Sequence, residues 1–355
     1  MPGLLPPRDL AVPLPGSTTA RDVLSRAVGR ILRELRPTLR AHAASAPDDV
    51  ATLDRALGTM KEPAALASVL RRPHVGALLR TLRGTLPGTP AARALLVELL
   101  GTLAGDLAHL GVLAPVALRA PPPRVVSPLT GPADFRAIDG DGSMLFALAD
   151  NNPLAMHEAH PDKHGNAVDL GGRPVDEWLA SLRAALALLA EHLPDLRAEM
   201  DLYVRQVVPV GFFEDRHLSA SYREAIGTLY LSLHPSPLTM VEALVHEFQH
   251  NKLNALFESD DVLENADAPL FASPVRPDPR PLRGVLLAVH AFVPVAVLYE
   301  KLAAAGERGV ERRFEDVVRI NREGTEVLLP NARPTEVGRG VLEELARWDA
   351  HFRGG

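Results

Sequence analysis

Residues 239–257 read TMVEALVHEFQHNKLNALF, and the reading of this stretch decides the fold. At 3.6 residues per turn His246 and His250 fall on one helical face, where both imidazoles can share a metal ion. Glu247 stands between them and completes a His-Glu-x-x-His pattern. In zinc peptidases the carboxylate at that place orients a metal-bound water or takes its proton. Thr239 followed by Glu242 fits a capping box, which starts the helix at about Thr239. The ordinary alternative is an amphipathic helix whose histidines meet this spacing by chance, and the residues upstream weigh against it.

Those residues, Ile226 to His234, alternate with period two. Gly227, Leu229, Leu231 and Leu233 share one face, and Thr228, Tyr230, Ser232 and His234 the other. A Pro-Ser-Pro turn then leads into the helix. In this strand-then-helix layout an exposed strand edge binds an extended peptide through main-chain hydrogen bonds, which makes Thr228, Tyr230, Ser232 and His234 the substrate-binding candidates.

The 355 residues, 46% hydrophobic and 23% charged, suit a globular protein long enough for two domains. The formal net charge is -6 with dispersed basic residues, so no nucleic-acid surface is expected. No uninterrupted run of about 18 apolar residues occurs, and the Pro-rich start lacks a signal-peptide pattern, so the expectation is a cytoplasmic protein without a membrane partner. There is no cysteine. Any metal is therefore held by imidazole, carboxylate, amide or water, which suits Zn or non-haem Fe.

Thr18 to about Leu113 has helical spacing, with Val23, Leu24, Val28, Ile31 and Leu32 in one stripe and breaks expected at Pro37, Pro47, Pro63, Pro73 and Pro87. His42, His74 and His109 are isolated there and read as surface or satisfied core residues. Ala120 to Arg124 is the expected domain boundary. Beyond it Phe135 to Ile138 and Met144 to Leu148 read as short strands about an Asp-Gly turn. His157, His160 and His164 fall in an irregular polar stretch, better read as a loop lining a cleft than as a second metal site. Val175 to Leu193 reads as an amphipathic helix ended or kinked at Pro194, and Leu202 to Val208 as a strand. The expected fold class is α+β and mainly α-helical. An N-terminal helical bundle occupies 1–120, and a zincin-like metal domain with a small sheet and the His-Glu-x-x-His helix occupies 121–355.

The metal helix still needs a third ligand. Leu282 to about Ala305 reads as an apolar helix, kinked at Pro294, that carries His290 among Val285, Leu286, Val289, Phe292 and Val293. His290 is the first candidate, ahead of Glu300, Glu264 and Asp278. Metzincins place Gly and His three and six residues after the second histidine, where this chain has Leu253 and Leu256. A peptidase with a downstream Glu ligand, such as Glu300, stays open.

The runs YREAIGTLYLSLHP (222–235), EALVHEFQHNKL (242–253) and RPDPRPL (276–282), the last leading into the His290 helix, resemble the α-ketoglutarate-dependent peptide β-hydroxylases of the His-Glu-x-x-His type. Enzymes of that family act in ribosomal peptide maturation. The resemblance covers roughly Arg216 to Lys301 and leaves the N-terminal half out. It implies Fe(II) rather than Zn, with α-ketoglutarate and O2 as co-reactants and a peptide, with or without a leader segment, as substrate. His246, His250 and His290 would then be metal ligands, although a third His departs from the two-His-one-carboxylate set of most such oxygenases. Glu247, the catalytic candidate, would hydrogen-bond a metal-bound water or a ligand instead of driving hydrolysis. Arg280 and Arg276, with Arg223 behind them, would receive the cosubstrate carboxylate, which a guanidinium fork can grip with two bonds. The alternative is a zinc metallopeptidase that cleaves a peptide through the same site. The helical N-terminal half, poor in chemical residues, is the expected place for leader recognition.

Overall fold

The computed structural model describes residues 6–140, 142–150 and 168–354. His157, His160 and His164 lie outside these residues. Prolines set many of the helix starts. After α1 (Thr19–Ala41), Pro47, Pro63, Pro73 and Pro90 open α2 (Pro47–Thr59), α3 (Pro63–Leu70), α4 (Pro73–Gly84) and α5 (Pro90–His109). In the first turn the missing N–H has no intrahelical partner to lose, and the ring's φ is already helical. Pro37 departs from the expected breaks: it lies inside α1 without ending it.

β1 (Phe135–Ala137) and β2 (Leu145–Ala147) form an antiparallel pair, and in the turn between them Ser143 Oγ donates to Asp139. α6 (Val175–His192) stops before Pro194, which opens α7 (Pro194–Tyr203). The strand expected from Leu202 starts later, as β3 (Gln206–Phe212). Leu202 and Tyr203 instead close α7, where the Tyr203 hydroxyl donates to the Ala20 carbonyl at 2.7 Å. Then come β4 (Ser219–Ala220), β5 (Thr228–Leu233), α8 (Pro237–Phe257), β6 (Leu270–Phe271), β7 (Arg280–Pro281), α9 (Leu282–Ala304), α10 (Glu311–Asn331) and α11 (Glu336–Phe352). The fold is mainly helical with a small mixed sheet, which is the α+β class.

Two compact units interleave along the chain, one built from Val28–Leu179 and Val204–Leu233, the other from Met1–Ala27, Ala180–Tyr203 and His234–Gly355. The Pro-rich run at Ala120–Arg124 lies inside the first unit, so the units do not divide at residue 120.

The first unit packs leucines of α1, α2, α4 and α5, among them Leu35, Leu53, Leu78, Leu96 and Leu103, into one core. Its sheet has the order β1-β2-β3-β5-β4, with β2, β3 and β5 parallel. His74 is no surface residue: buried, it bonds Asp106 at 3.0 Å, and Asp106 also accepts from Ser127 Oγ.

The second unit gathers α8 to α11. α9 is long and apolar enough to cross a membrane by length and composition, and 83% of its most apolar window is buried inside the protein. Pro294 lies inside this single helix. The Pro-rich lead docks on α11, where the buried Glu344 carboxylate accepts from the amides of Leu10, Ala11 and Val12 at 2.7 to 3.1 Å.

Burial raises the Glu344 pKa from 4.5 to about 7, outweighing the three amides that favour the carboxylate. The folded protein thus keeps a proton that the unfolded chain releases near pH 4.5. Stability from this group is full below that pH and falls as pH rises through the window to about 7, by on the order of 3 kcal/mol. Urea unfolding at pH 5 and pH 7.5 should show this loss in the wild type, and Glu344→Gln should flatten it.

Candidate metal centre

Ser236, not Thr239, caps α8: its Oγ accepts the Thr239 amide at 3.3 Å, and Pro237 fills the first turn. His234 precedes the cap, and its Nδ1 accepts the Ser236 amide at 3.0 Å. The capping box is not formed, because Glu242 turns away from the helix start. Its carboxylate accepts from the Tyr299 hydroxyl of α9 at 3.0 Å and from Nε and Nη2 of Arg313 on α10.

One turn further along α8 the ligand atoms of His246, Glu247 and His250 all lie within 4.8 Å of one another. The two imidazoles meet edge to face at 4.5 Å between centroids. Both are half-buried, whereas Glu247 is 2% exposed. A close-set pair of imidazoles and a carboxylate can hold a divalent cation, and the donor set suits Zn or non-haem Fe.

α9 runs antiparallel to this face. The Phe292 ring packs on His246 at 4.6 Å and Tyr299 bonds Glu242, and these two rungs put His290 at the level of His250. His290 is fully buried, and neither ring nitrogen has a hydrogen-bond partner among the described residues. It is not part of the close group of three; Glu247 supplies the third donor there. The other candidates for a third ligand are absent from that group too. Glu300 pairs with His351 at 2.8 Å and Asp278 with Arg280 at 2.9 Å, both pairs well exposed.

Burial pushes the His246 imidazole well below the ordinary histidine range, helped by His250 and by the Arg313 and Arg276 guanidiniums. It also lowers His250, against the opposing charge of Glu247, and drives His290 far down, with Lys252 and His250 adding to the effect. Neutral imidazoles are the form a metal requires.

The cation candidates separate. The exposed Arg276 acts electrostatically on His246, Arg280 is engaged by Asp278, and Arg223 is an exposed residue of the sheet-bearing unit. The expected substrate face of β5 is corrected. Thr228, Tyr230 and Ser232 are buried, and β5 is no edge strand: it lies between β3 and β4. Thr228 accepts from Gln206, Tyr230 donates to Asp150 and Ser232 accepts the Leu218 amide. β5 and α8 also belong to different compact units.

Sequence reasoning missed Arg313 and Tyr299, which carry no local signal on their own helices. Glu242 was findable, since it stands four residues before His246 and therefore on the same face. Also missed was the buried pair of Lys252 on α8 with Glu199 on α7, 2.5 Å apart.

Titrated with Zn(II) or Co(II), His246→Ala and His250→Ala should each weaken binding beyond the roughly 10- to 100-fold that loss of an outer partner costs. Because both imidazoles are held neutral, wild-type binding should persist at pH 6 and fail only as pH drops through their lowered values. No protein-family model matches the chain, and no curated protein matches it in sequence.

Proposed function

We infer that the protein is an Fe(II)- and α-ketoglutarate-dependent hydroxylase acting at the β-carbon of a side chain in a ribosomally made peptide. The observation that carries this reading is the group of His246, Glu247 and His250, with half-buried imidazoles and two guanidiniums whose charge acts on His246. His246 and His250 would hold the metal, and His290, whose two buried nitrogens have no hydrogen-bond partner among the described residues, would be a further donor. Bound iron would supply the oxidation, in which α-ketoglutarate and O2 become succinate and CO2 as one oxygen enters the peptide C–H bond.

The chain's own groups do the rest. Arg276, exposed and near enough for its charge to act on His246, would attract an anionic cosubstrate, while the Arg313 charge is paired with Glu242. Phe292 walls the same imidazole with an apolar ring and keeps water off that side. Glu247, buried beside both imidazoles, is placed to orient a water or accept its proton. The zincin-like character of this unit belongs to the same proposal and rests on α8.

The second reading, a zinc peptidase, draws on Glu247 itself, because a carboxylate next to two metal-binding imidazoles is what a general base for water requires. The interior position of β5 removes the exposed edge on which that reading relied. Leader recognition by the N-terminal half needs a milder test than deletion, since residues 1–27 form part of the unit that holds the metal helix.

The deciding experiment supplies anaerobic, Fe(II)-loaded protein with α-ketoglutarate, then O2, and follows succinate and peptide mass. Succinate with a peptide gain of one oxygen is expected. No succinate, with Zn-dependent peptide cleavage instead, would replace this reading by the peptidase. His290→Ala should cut Fe(II) affinity more than 10-fold if the ring ligates; unchanged affinity would leave His290 as a packing residue.

A further inference from the structure

Glu242 binds no metal in the arrangement above, yet it ties α8 to two other helices. Its carboxylate, 16% exposed, takes a bond from Tyr299 of α9 and both prongs of the Arg313 fork from α10. Tyr299 follows Phe292 by seven residues, so the two project from one face of α9. On α8, Glu242 and His246 likewise share a face, one turn apart. The Glu242–Tyr299 bond and the His246–Phe292 contact therefore tie the same two helices together at two levels. A slip of one residue moves a helix about 1.5 Å and turns it about 100°, which breaks both rungs together.

α10 braces the arrangement from a second point. Gly324 packs on Val289 so closely that a Cβ there would overlap the valine Cγ2. Val289 adjoins His290. The stretch of α9 that presents His290 and Phe292 is thus pinned by Glu242, through Tyr299 and Arg313, and by the glycine contact further along α10. Arg313 also lies near enough to His246 for its charge to act on the ring.

We propose that Glu242 is the positioning residue of the metal centre: through Tyr299 and Arg313 it fixes the register of α9 and α10 on α8, and with it the place from which Phe292 packs on His246. The proposal rests on the metal-centre reading and on no particular metal or reaction.

The test uses full-length protein and Co(II) as the probe, read by titration and by the visible ligand-field spectrum, with far-UV circular dichroism as the check on folding. Glu242→Ala should weaken Co(II) binding by roughly 10- to 100-fold and shift the spectral bands while the helical signal stays. Tyr299→Phe, which deletes one hydroxyl, should move both in the same direction by a smaller amount. Arg313→Lys keeps the charge but not the fork, and should retain more affinity than Arg313→Ala. Variants that fold, bind Co(II) as the wild type does and show its spectrum would overturn the proposal and leave Glu242 as a stabilising tie. Should Glu242→Ala not fold, Tyr299→Phe decides the matter by the same two readouts. A wild-type protein that takes up no Co(II) would overturn the metal-centre reading, and this proposal with it.

Discussion

α8 is buried on almost every side while carrying polar residues on every side, and the rest of its unit answers to that constraint. Glu247, Gln249, Asn251 and Lys252 are all almost completely inaccessible to water. A buried polar group without a partner costs about 1–3 kcal/mol, and an uncompensated buried charge more. The neighbours are therefore those that can supply partners. α7 brings Glu199 to Lys252, the N-terminal lead brings the Ala11 carbonyl to Gln249, and α9 and α10 bring Tyr299 and Arg313 to Glu242. The imidazoles of His246 and His250 meet edge to face beside Glu247, and these are the donors on the helix that a metal can use.

This explains which parts of the structure could be read from the chain. Where a segment's partners are local, the pattern sufficed: the His-Glu-x-x-His spacing, the helix after Val175, the break at Pro194 and the apolar helix carrying His290 all stand in the structure as expected. The capping box failed for a non-local reason. Glu242 was the right residue type at the right spacing from Thr239, but Arg313, 71 residues away, offers a charged two-pronged bond that a single backbone amide cannot match. Ser236, three residues before Thr239, takes over the cap.

β5 misled for a related reason. Alternation records polarity, and a polar residue looks alike whether water or a buried partner satisfies it. Thr228, Tyr230 and Ser232 are satisfied inside the protein, by Gln206, Asp150 and the Leu218 amide, so the face that read as solvated is interior. The docking of the N-terminal lead had no local signal: Leu10 and Ala11 are fully buried, and Glu344, more than 330 residues later, accepts their amides. No local window contains that information.

The same long-range pairing bears on the choice between oxidation and hydrolysis. Both chemistries accept two imidazoles and a carboxylate, so the donor set alone does not choose. The surroundings differ in what they favour. A peptidase of the strand-then-helix layout needs a free strand edge to lay out its substrate, and the middle of β5 has neighbours on both sides. An oxygenase with an anionic cosubstrate needs positive charge and a dry wall beside the metal. Arg276 and Arg313 supply charge at His246, and the Phe292 ring supplies the wall. Glu242 takes both prongs of Arg313, which fixes that guanidinium and offsets its charge, while Arg276 is exposed. Positive charge beside the imidazoles supports the proposed hydroxylase through its anionic cosubstrate; beside a hydrolytic centre the same charge would serve the oxyanion of the transition state.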